Sequence, residues 1–166
     1  AAQAIDATSL IANEPTTVVL STGGWVRAAK GHDLDPRTLS YKTGDAFQAA
    51  ARGRSLHPAV FIDSTGRTYT LPAHSLPSAR GNGEPLSGRL NPPDGAKFAG
   101  VVLGEPEDLW LLATDAGYGF TVRFKDLETG ALLDDVLSDV TGNVAFAADN
   151  RTVFYTRQHP DTLRSY

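Results

Sequence analysis

Four histidines, His32, His57, His74 and His159, have the widest chemical repertoire in this 166-residue chain, and their spacing gives them no shared task. None stands about three to five positions from another, the separation by which a local segment offers two imidazoles to zinc. The chain has no cysteine, so thiolate metal sites, iron-sulfur clusters, disulfides and cysteine nucleophiles are all excluded. Ser55 and His57 lie close together, but Gly53-Arg54-Ser55-Leu56-His57 lacks the second glycine of a nucleophile elbow. His32-Asp33-Leu34-Asp35 runs into Pro36 with no glycine at the sharp turn that a calcium loop needs. Neither a phosphate-cradling Walker loop nor a dinucleotide fingerprint occurs. Asn150-Arg151-Thr152 is a glycosylation sequon by letter, yet the pattern predicts a hairpin turn there and no secretory signal precedes it. The expectation is a protein that is not an enzyme, with no cofactor and no metal.

Charge is more informative than catalytic chemistry. The net charge is -4, but residues 16 to 99 carry +4, residues 100 to 166 carry -6 and residues 1 to 15 carry -2. A polyanion would meet the first two-thirds of the chain. The cations to consider are Arg27, Lys30, Lys42, Arg52, Arg54, Arg67, Arg80 and Arg89, several of them beside glycine-rich turns where a phosphate can approach the backbone. Charge alone leaves two readings of this set open, a phosphate-binding rim or an ordinary solubilising surface.

The elements that would position these side chains announce themselves as a repeat. An apolar β-branched run, a small polar turn with glycine and a second run with an aromatic recur at Val18 to Val26, Val60 to Tyr69 and Trp110 to Phe120, with a looser copy at Val144 to Tyr155. Such runs suit a pleated, half-buried surface, and the central Gly, Asn and Asp accept the positive φ of tight hairpin turns. Gly44-Asp45-Ala46-Phe47 precedes Gly66 by the same 22 residues that separate Gly95-Ala96-Lys97-Phe98 from Gly117. The repeating unit therefore reads as a strand, a short connection and a hairpin. Its turn glycines stand 42 residues apart (Gly24 to Gly66) and then 51 (Gly66 to Gly117), in the range of propeller-like blades. The fold class predicted is all-β, an array of about four antiparallel blades. Trp25, Tyr69, Phe120 and Phe154 occupy comparable positions after the turns and read as blade core rather than as base-stacking platforms.

Between the second and third hairpins, Pro72 to Pro93 holds five prolines and three glycines, which forbids a helix or central strand and predicts an exposed connection. Residues 1 to 15 read as a linker or short helix ending before Pro15. Asp45 to Arg52 has helix-like alanine content, but its parallel with Ala96 to Leu103 predicts a strand. No apolar stretch approaches the roughly 18 residues of a membrane span, and Ala1 to Leu10 lacks a signal peptide's basic start and long apolar run. No membrane partner is expected, the cytoplasm is the default location, and the absence of any Met suggests a fragment.

The run Val18-Val19-Leu20-Ser21-Thr22-Gly23-Gly24-Trp25-Val26-Arg27-Ala28-Ala29-Lys30-Gly31-His32-Asp33 resembles the C-terminal domain of the bacterial topoisomerase IV A-subunit, in the gyrase A family. The likeness continues through Val60 to Arg67, Leu76 to Leu86 and Ala113 to Phe120, and covers roughly residues 14 to 127. It implies a β-pinwheel, a propeller-like disc whose basic rim binds and bends duplex DNA beside a topoisomerase core. The eight cations above then become candidate phosphate contacts. The related gyrase domain carries a Gln-Arg-Arg-Gly-Gly-Lys-Gly type of box; Ser78-Ala79-Arg80-Gly81-Asn82-Gly83 keeps only an Arg-Gly-x-Gly core, which implies weaker chiral wrapping.

From about Asp126 the likeness changes. Asp126 to Gly130, Val140 to Tyr155 and His159 to Tyr166 resemble a propeller blade of oligopeptidase B, in the prolyl oligopeptidase family. That family's Ser, Asp and His catalytic residues lie in a separate hydrolase domain with no counterpart in these segments. The resulting expectation is a chimera: a linker at 1-15, pinwheel blades at 16-125 and a propeller blade at 126-166, joined at a strand end near Phe124 to Gly130. Two functions are carried forward. One is non-catalytic binding of duplex DNA through phosphates. The other is a recombined or engineered scaffold without native activity, whose open blade edges would pair with a second copy as a homo-oligomer.

Overall fold

The computed structural model describes residues 11–113, 119–129, 140–146 and 153–157. The chain falls into two units, Ala1–Gly104 and Glu105–Tyr166. In the first, β1 (Pro15–Ser21) and β2 (Trp25–Lys30) form an antiparallel hairpin whose register runs from Thr16 opposite Lys30 to Leu20 opposite Val26. The sequence Thr16-Thr17-Val18-Val19-Leu20 is β-branched or bulky throughout, and every residue in it is buried. A strand covered on both faces reads as a continuous run rather than an alternation. Gly24 closes the turn at φ +76, a backbone conformation that side chains resist.

The strand after this hairpin is β3 (Phe47–Arg54), and it pairs with β1 on the side away from β2, with Val18 opposite Ala51. Only Ser55 to His57 separate β3 from β4 (Pro58–Asp63), yet β4 belongs to a second sheet. There it lies between β5 (Thr68–Pro72) and β7 (Phe98–Leu103). The two-residue β6 (Glu84–Pro85) ends the first sheet, whose order is β3-β1-β2-β6. The expected strand at Asp45 to Arg52 is thus present, but the expected grouping is corrected. A sequence repeat of strand plus hairpin is not a blade, because each such strand completes the sheet of the preceding hairpin. The length of the link does not decide this, since the three residues Thr22 to Gly24 suffice to fold β2 back on β1; the longer segment between β2 and β3 lets β3 return to β1.

The repeat is accurate down to its irregularities. The β1/β3 register slips between Leu20 and Ser21, and the β4/β7 register slips at the equivalent Ile62 and Asp63. Thr22 and Ala46 exchange hydrogen bonds beside the first slip, the Thr22 amide donating to Ala46 O at 2.9 Å and the Ala46 amide to Thr22 Oγ1 at 3.2 Å. Ser64 and Lys97 repeat the pair at 2.7 and 3.1 Å.

The core lies between the two sheets. Val18, Leu20, Val26 and Ala51 meet Ala59, Phe61, Phe98, Val101 and Leu103, closed at one side by Ala73, Leu76 and Leu86. Phe98 packs edge-on against Phe61 (centroids 6.4 Å apart) and Tyr69 (5.7 Å), the arrangement aromatic quadrupoles favour. Gly53 lets β3 approach β7, since a Cβ there would stand 2.9 Å from Leu103 Cβ. Over β1 and β2 the opposite face of the first sheet is covered by the segment after β2, where Thr17 Oγ1 donates to Gly31 O at 2.7 Å.

Two further expectations are corrected here. The Pro72 to Pro93 connection is not simply exposed: Ala73, Leu76 and Leu86 are buried, and its two short 3-10 turns, Ala73–Ser75 and Leu86–Gly88, point them inward. In the second unit, β8 (Leu109–Ala113) and β9 (Gly119–Arg123) form a hairpin with Ala113 opposite Gly119. Next comes α1 (Phe124–Thr129), a helix where a strand end was expected. Phe124 and Leu127, both buried, are three apart and so share one helical face. β10 (Val140–Phe146) and β11 (Val153–Arg157) form a second hairpin, with Val144 opposite Tyr155. All four expected hairpins are present. The side chains of Phe120 and Phe154 lie outside the described residues.

Candidate nucleic-acid interface

The eight cations named from the sequence fall in the first unit, and the fold sorts them. Gln48, Ala50, Arg52 and Arg54 alternate with more buried residues along β3, placing Arg52 and Arg54 side by side on its exposed face. The Arg54 guanidinium also donates to Asn13 O. There the chain ahead of β1 is tied to the β3–β4 link by Ser55, whose amide donates to Glu14 O at 2.8 Å and whose hydroxyl accepts from the Glu14 amide at 3.0 Å. Arg52 has no side-chain partner among the described residues. Lys30, at the end of β2, pairs with Glu14 at 2.8 Å.

Arg80 rides on the Arg-Gly-x-Gly segment, which docks along the edge of β2 away from β1. Pro77 O accepts from the Ala28 amide at 2.7 Å, the Ala79 amide donates to Ala28 O at 2.9 Å, and β6 returns opposite Trp25 and Val26. Gly83 permits this docking: its φ is +85, and a Cβ would fall 2.2 Å from Val26 O. Lys42 sits across the same edge, its Nζ 3.3 Å from the Trp25 ring centroid in a cation–π contact. Trp25 is half-buried beneath it.

Arg27 is placed differently from the rest. It is 4% exposed. Its Nη1 donates to Gly81 O at 2.9 Å and its Nη2 to Ser40 O at 2.8 Å, while its guanidinium lies 4.6 Å from the Tyr41 ring centroid. The fork expected to hold a phosphate holds two backbone carbonyls instead. Arg89 bridges the Pro-rich connection, with Nη1 on Ser75 O and Nη2 on Ser75 Oγ, both at 3.0 Å. Arg67 is exposed in the β4–β5 turn, its side chain beside the Tyr69 hydroxyl. Lys97 was not singled out by sequence. It is exposed, and its backbone is clasped to Ser64 beside the turn that carries Arg67. The repeat signal could have found it, because Lys97 stands where the preceding repeat has Ala46.

Two carboxylates in this unit, Asp63 and Asp45, serve the turns. Asp63 is buried, which by itself would raise its pKa. Hydrogen bonds from the Thr65 hydroxyl, the Tyr69 hydroxyl at 2.8 Å and the Thr65 and Arg67 amides outweigh burial and hold it below the usual carboxylate range. Burial, then the bond to Asp63, raises Tyr69. Asp45 is likewise lowered: burial opposes, but bonds from Ser21, the Gly23 amide, the Thr22 hydroxyl and the Ala46 amide prevail. These acids are occupied within the fold. Among the described residues, no carboxylate pairs with Lys42, Arg52, Arg54, Arg67, Arg80 or Arg89. No group of three or more His, Asp or Glu among them could hold a metal ion, and no helix among them is long and apolar enough to cross a membrane.

Most of the chain is similar to known proteins. The chain is 64% identical over 127 residues to the DNA topoisomerase 4 A-subunit of Pseudomonas aeruginosa and 50% identical over 126 residues to that of Escherichia coli. Each match covers 76% of this chain and 17% of the relative. The solved C-terminal domain of E. coli ParC superposes with a TM-score of 0.64 at 53% identity, covering 69% of this chain and 47% of that one. The homology is with the C-terminal domain of the topoisomerase IV A-subunit. The strand exchange between successive hairpins is accordingly that of a β-pinwheel. A DNA gyrase A C-terminal domain shares the fold, with a TM-score of 0.53 at 17% identity over 75% of this chain and 46% of that one. Against these relatives the chain spans about a sixth of the curated full-length sequences. Residues 118–166 match a different family model, the N-terminal β-propeller domain of prolyl oligopeptidase.

Proposed function

We propose that the topoisomerase-like part is a non-catalytic module that binds duplex DNA through its phosphates. The observation that supports this most is the set of exposed cations without carboxylate partners, Arg52, Arg54, Lys42, Arg80 and Arg67, on a fold homologous to the topoisomerase IV C-terminal domain. Arg52 and Arg54 project from a rigid strand, and Arg80 and Lys42 from loops pinned to β2. Backbone-only contacts carry little sequence information, so weak sequence preference is expected. Affinity should fall with salt, the slope of log K against log[salt] steepening by about 0.9 per phosphate neutralised. Fluorescence anisotropy of a labelled duplex at several salt concentrations tests this. Arg52→Ala and Arg80→Ala should each flatten the slope by about one unit. An undetectable interaction at low salt would refute the reading.

The propeller-family match over residues 118–166 favours a second reading, in which the chain is a chimera whose last blade has another parent and whose open strand edges pair with a second copy. β3 and β5 each end a sheet, and such pairing would use edges of this kind. Sedimentation equilibrium distinguishes the two: a dimer without DNA affinity supports the scaffold, a DNA-binding monomer the module. A natural reading frame running unbroken through residues 118–166 within an intact topoisomerase gene would exclude the chimera.

A further inference from the structure

Arg27 is the buried cation of the first unit among the described residues, and burial of a guanidinium opposes folding unless its donors and charge are satisfied. A leucine would fill an interior position without that penalty. What arginine adds is a planar fork with fixed directions, which a lysine ammonium does not reproduce. Here the fork spans two segments far apart in sequence, Ser40 in the loop after β2 and Gly81 at the tip of the segment docked on β2. Each segment carries an exposed cation next to the bonded carbonyl. Lys42 lies two residues beyond Ser40, and Arg80 immediately precedes Gly81. The segments are tied a second time by Trp25, which lies under the Lys42 ammonium and opposite Pro85 on the returning limb.

We infer that Arg27 is a positioning residue for DNA binding: without touching the duplex, it locks the Ser40–Lys42 and Ser78–Gly83 loops into one surface, so that Lys42 and Arg80 engage phosphates together. The inference rests on the DNA-binding reading above. Through Arg27, two cations on otherwise independent loops act as one pre-ordered pair, which lowers the ordering cost of binding.

The test uses the whole chain and a labelled random-sequence duplex, with Arg27→Lys, Arg27→Leu, Arg80→Ala and Arg27→Leu/Arg80→Ala variants. Arg27→Lys and Arg27→Leu should flatten the salt slope by one to two units, about 0.9 for each phosphate no longer neutralised. Arg80→Ala should weaken binding in the wild-type background but have little further effect beside Arg27→Leu. The amides of Ala28 and Ala79 should exchange hydrogen faster in both Arg27 variants. Arg52→Ala separates this inference from its parent. If Arg52→Ala flattens the slope while the Arg27 variants do not, the positioning role fails and DNA binding stands; if the wild-type chain binds no duplex, both fail. A measurement on the unsubstituted chain covers a variant that does not fold. The Arg27 guanidinium NMR signals should stay unchanged on adding duplex while those of Arg80 and Arg52 shift. A shift of the Arg27 Nη signals comparable to theirs would mean direct phosphate contact and would overturn the inference.

Discussion

Gly83 and Gly66 form a matched pair that separates backbone strain from loop docking. Both have positive φ, +85 and +84. A Cβ on Gly66 would meet nothing within 4 Å, whereas on Gly83 it would lie 2.2 Å from Val26 O and 2.9 Å from Val26 C. Gly66→Ala should therefore cost only the left-handed conformation, about 1–2 kcal/mol. Gly83→Ala adds an overlap that rigid backbone cannot relieve, so the docked segment must lift from β2. Lifting exposes the bonds Ala28 N to Pro77 O, Ala79 N to Ala28 O, Leu86 N to Gly24 O and Arg27 Nη1 to Gly81 O. At about 0.5–1.5 kcal/mol each, losing two or three adds about 2–3 kcal/mol. Urea unfolding of the two variants gives the difference. Native-state hydrogen exchange at Ala28 and Ala79 shows where it resides, accelerated in Gly83→Ala and near wild type in Gly66→Ala. Equal destabilisation of the two variants, with no local change at Ala28, would refute the reasoning that Gly83 exists to seat this loop.

Asp63 gives a pH prediction. Its folded pKa lies below the unfolded value of about 3.9, so its stabilisation is complete above that value and is lost as pH falls through the folded pKa. Stability followed by urea midpoint should decline below about pH 4, and Asp63→Asn should lower the midpoint at neutral pH while flattening that acid limb. Phe61, fully buried and edge-on to Phe98, should cost about 3–5 kcal/mol on replacement by alanine, again read from the urea midpoint. Lys125→Ala removes an exposed pair with Glu107 at 2.8 Å and should change thermal stability by less than about 1 kcal/mol.

The sequence by itself determined the local elements. β-Branched runs around Gly24 and Gly66 specify hairpins whatever surrounds them, because turn glycines and pleated-surface residues act over a few positions. The 22-residue spacing of Gly44 to Gly66 and of Gly95 to Gly117 specified a repeat whose two bulges and Thr22–Ala46 and Ser64–Lys97 bonds match. It also located most of the exposed cations, since strand alternation puts Arg52 and Arg54 on one face. Only the tertiary structure decided which hairpin each repeat's first strand completes. Hydrophobic pattern fixes a strand's face but not its partner, and a three-residue link such as Ser55 to His57 is as compatible with a hairpin as with a strand that passes to the next sheet. Tertiary structure also decided the fate of Arg27. Its place between Val26 and Ala28 looks like that of any outward residue on β2, until the loop after β2 and the glycine-bearing segment from Pro77 to Leu86 close over it. Burial of a charge depends on carbonyls brought from distant chain, Ser40 and Gly81, and neither carbonyl carries a residue-type signal.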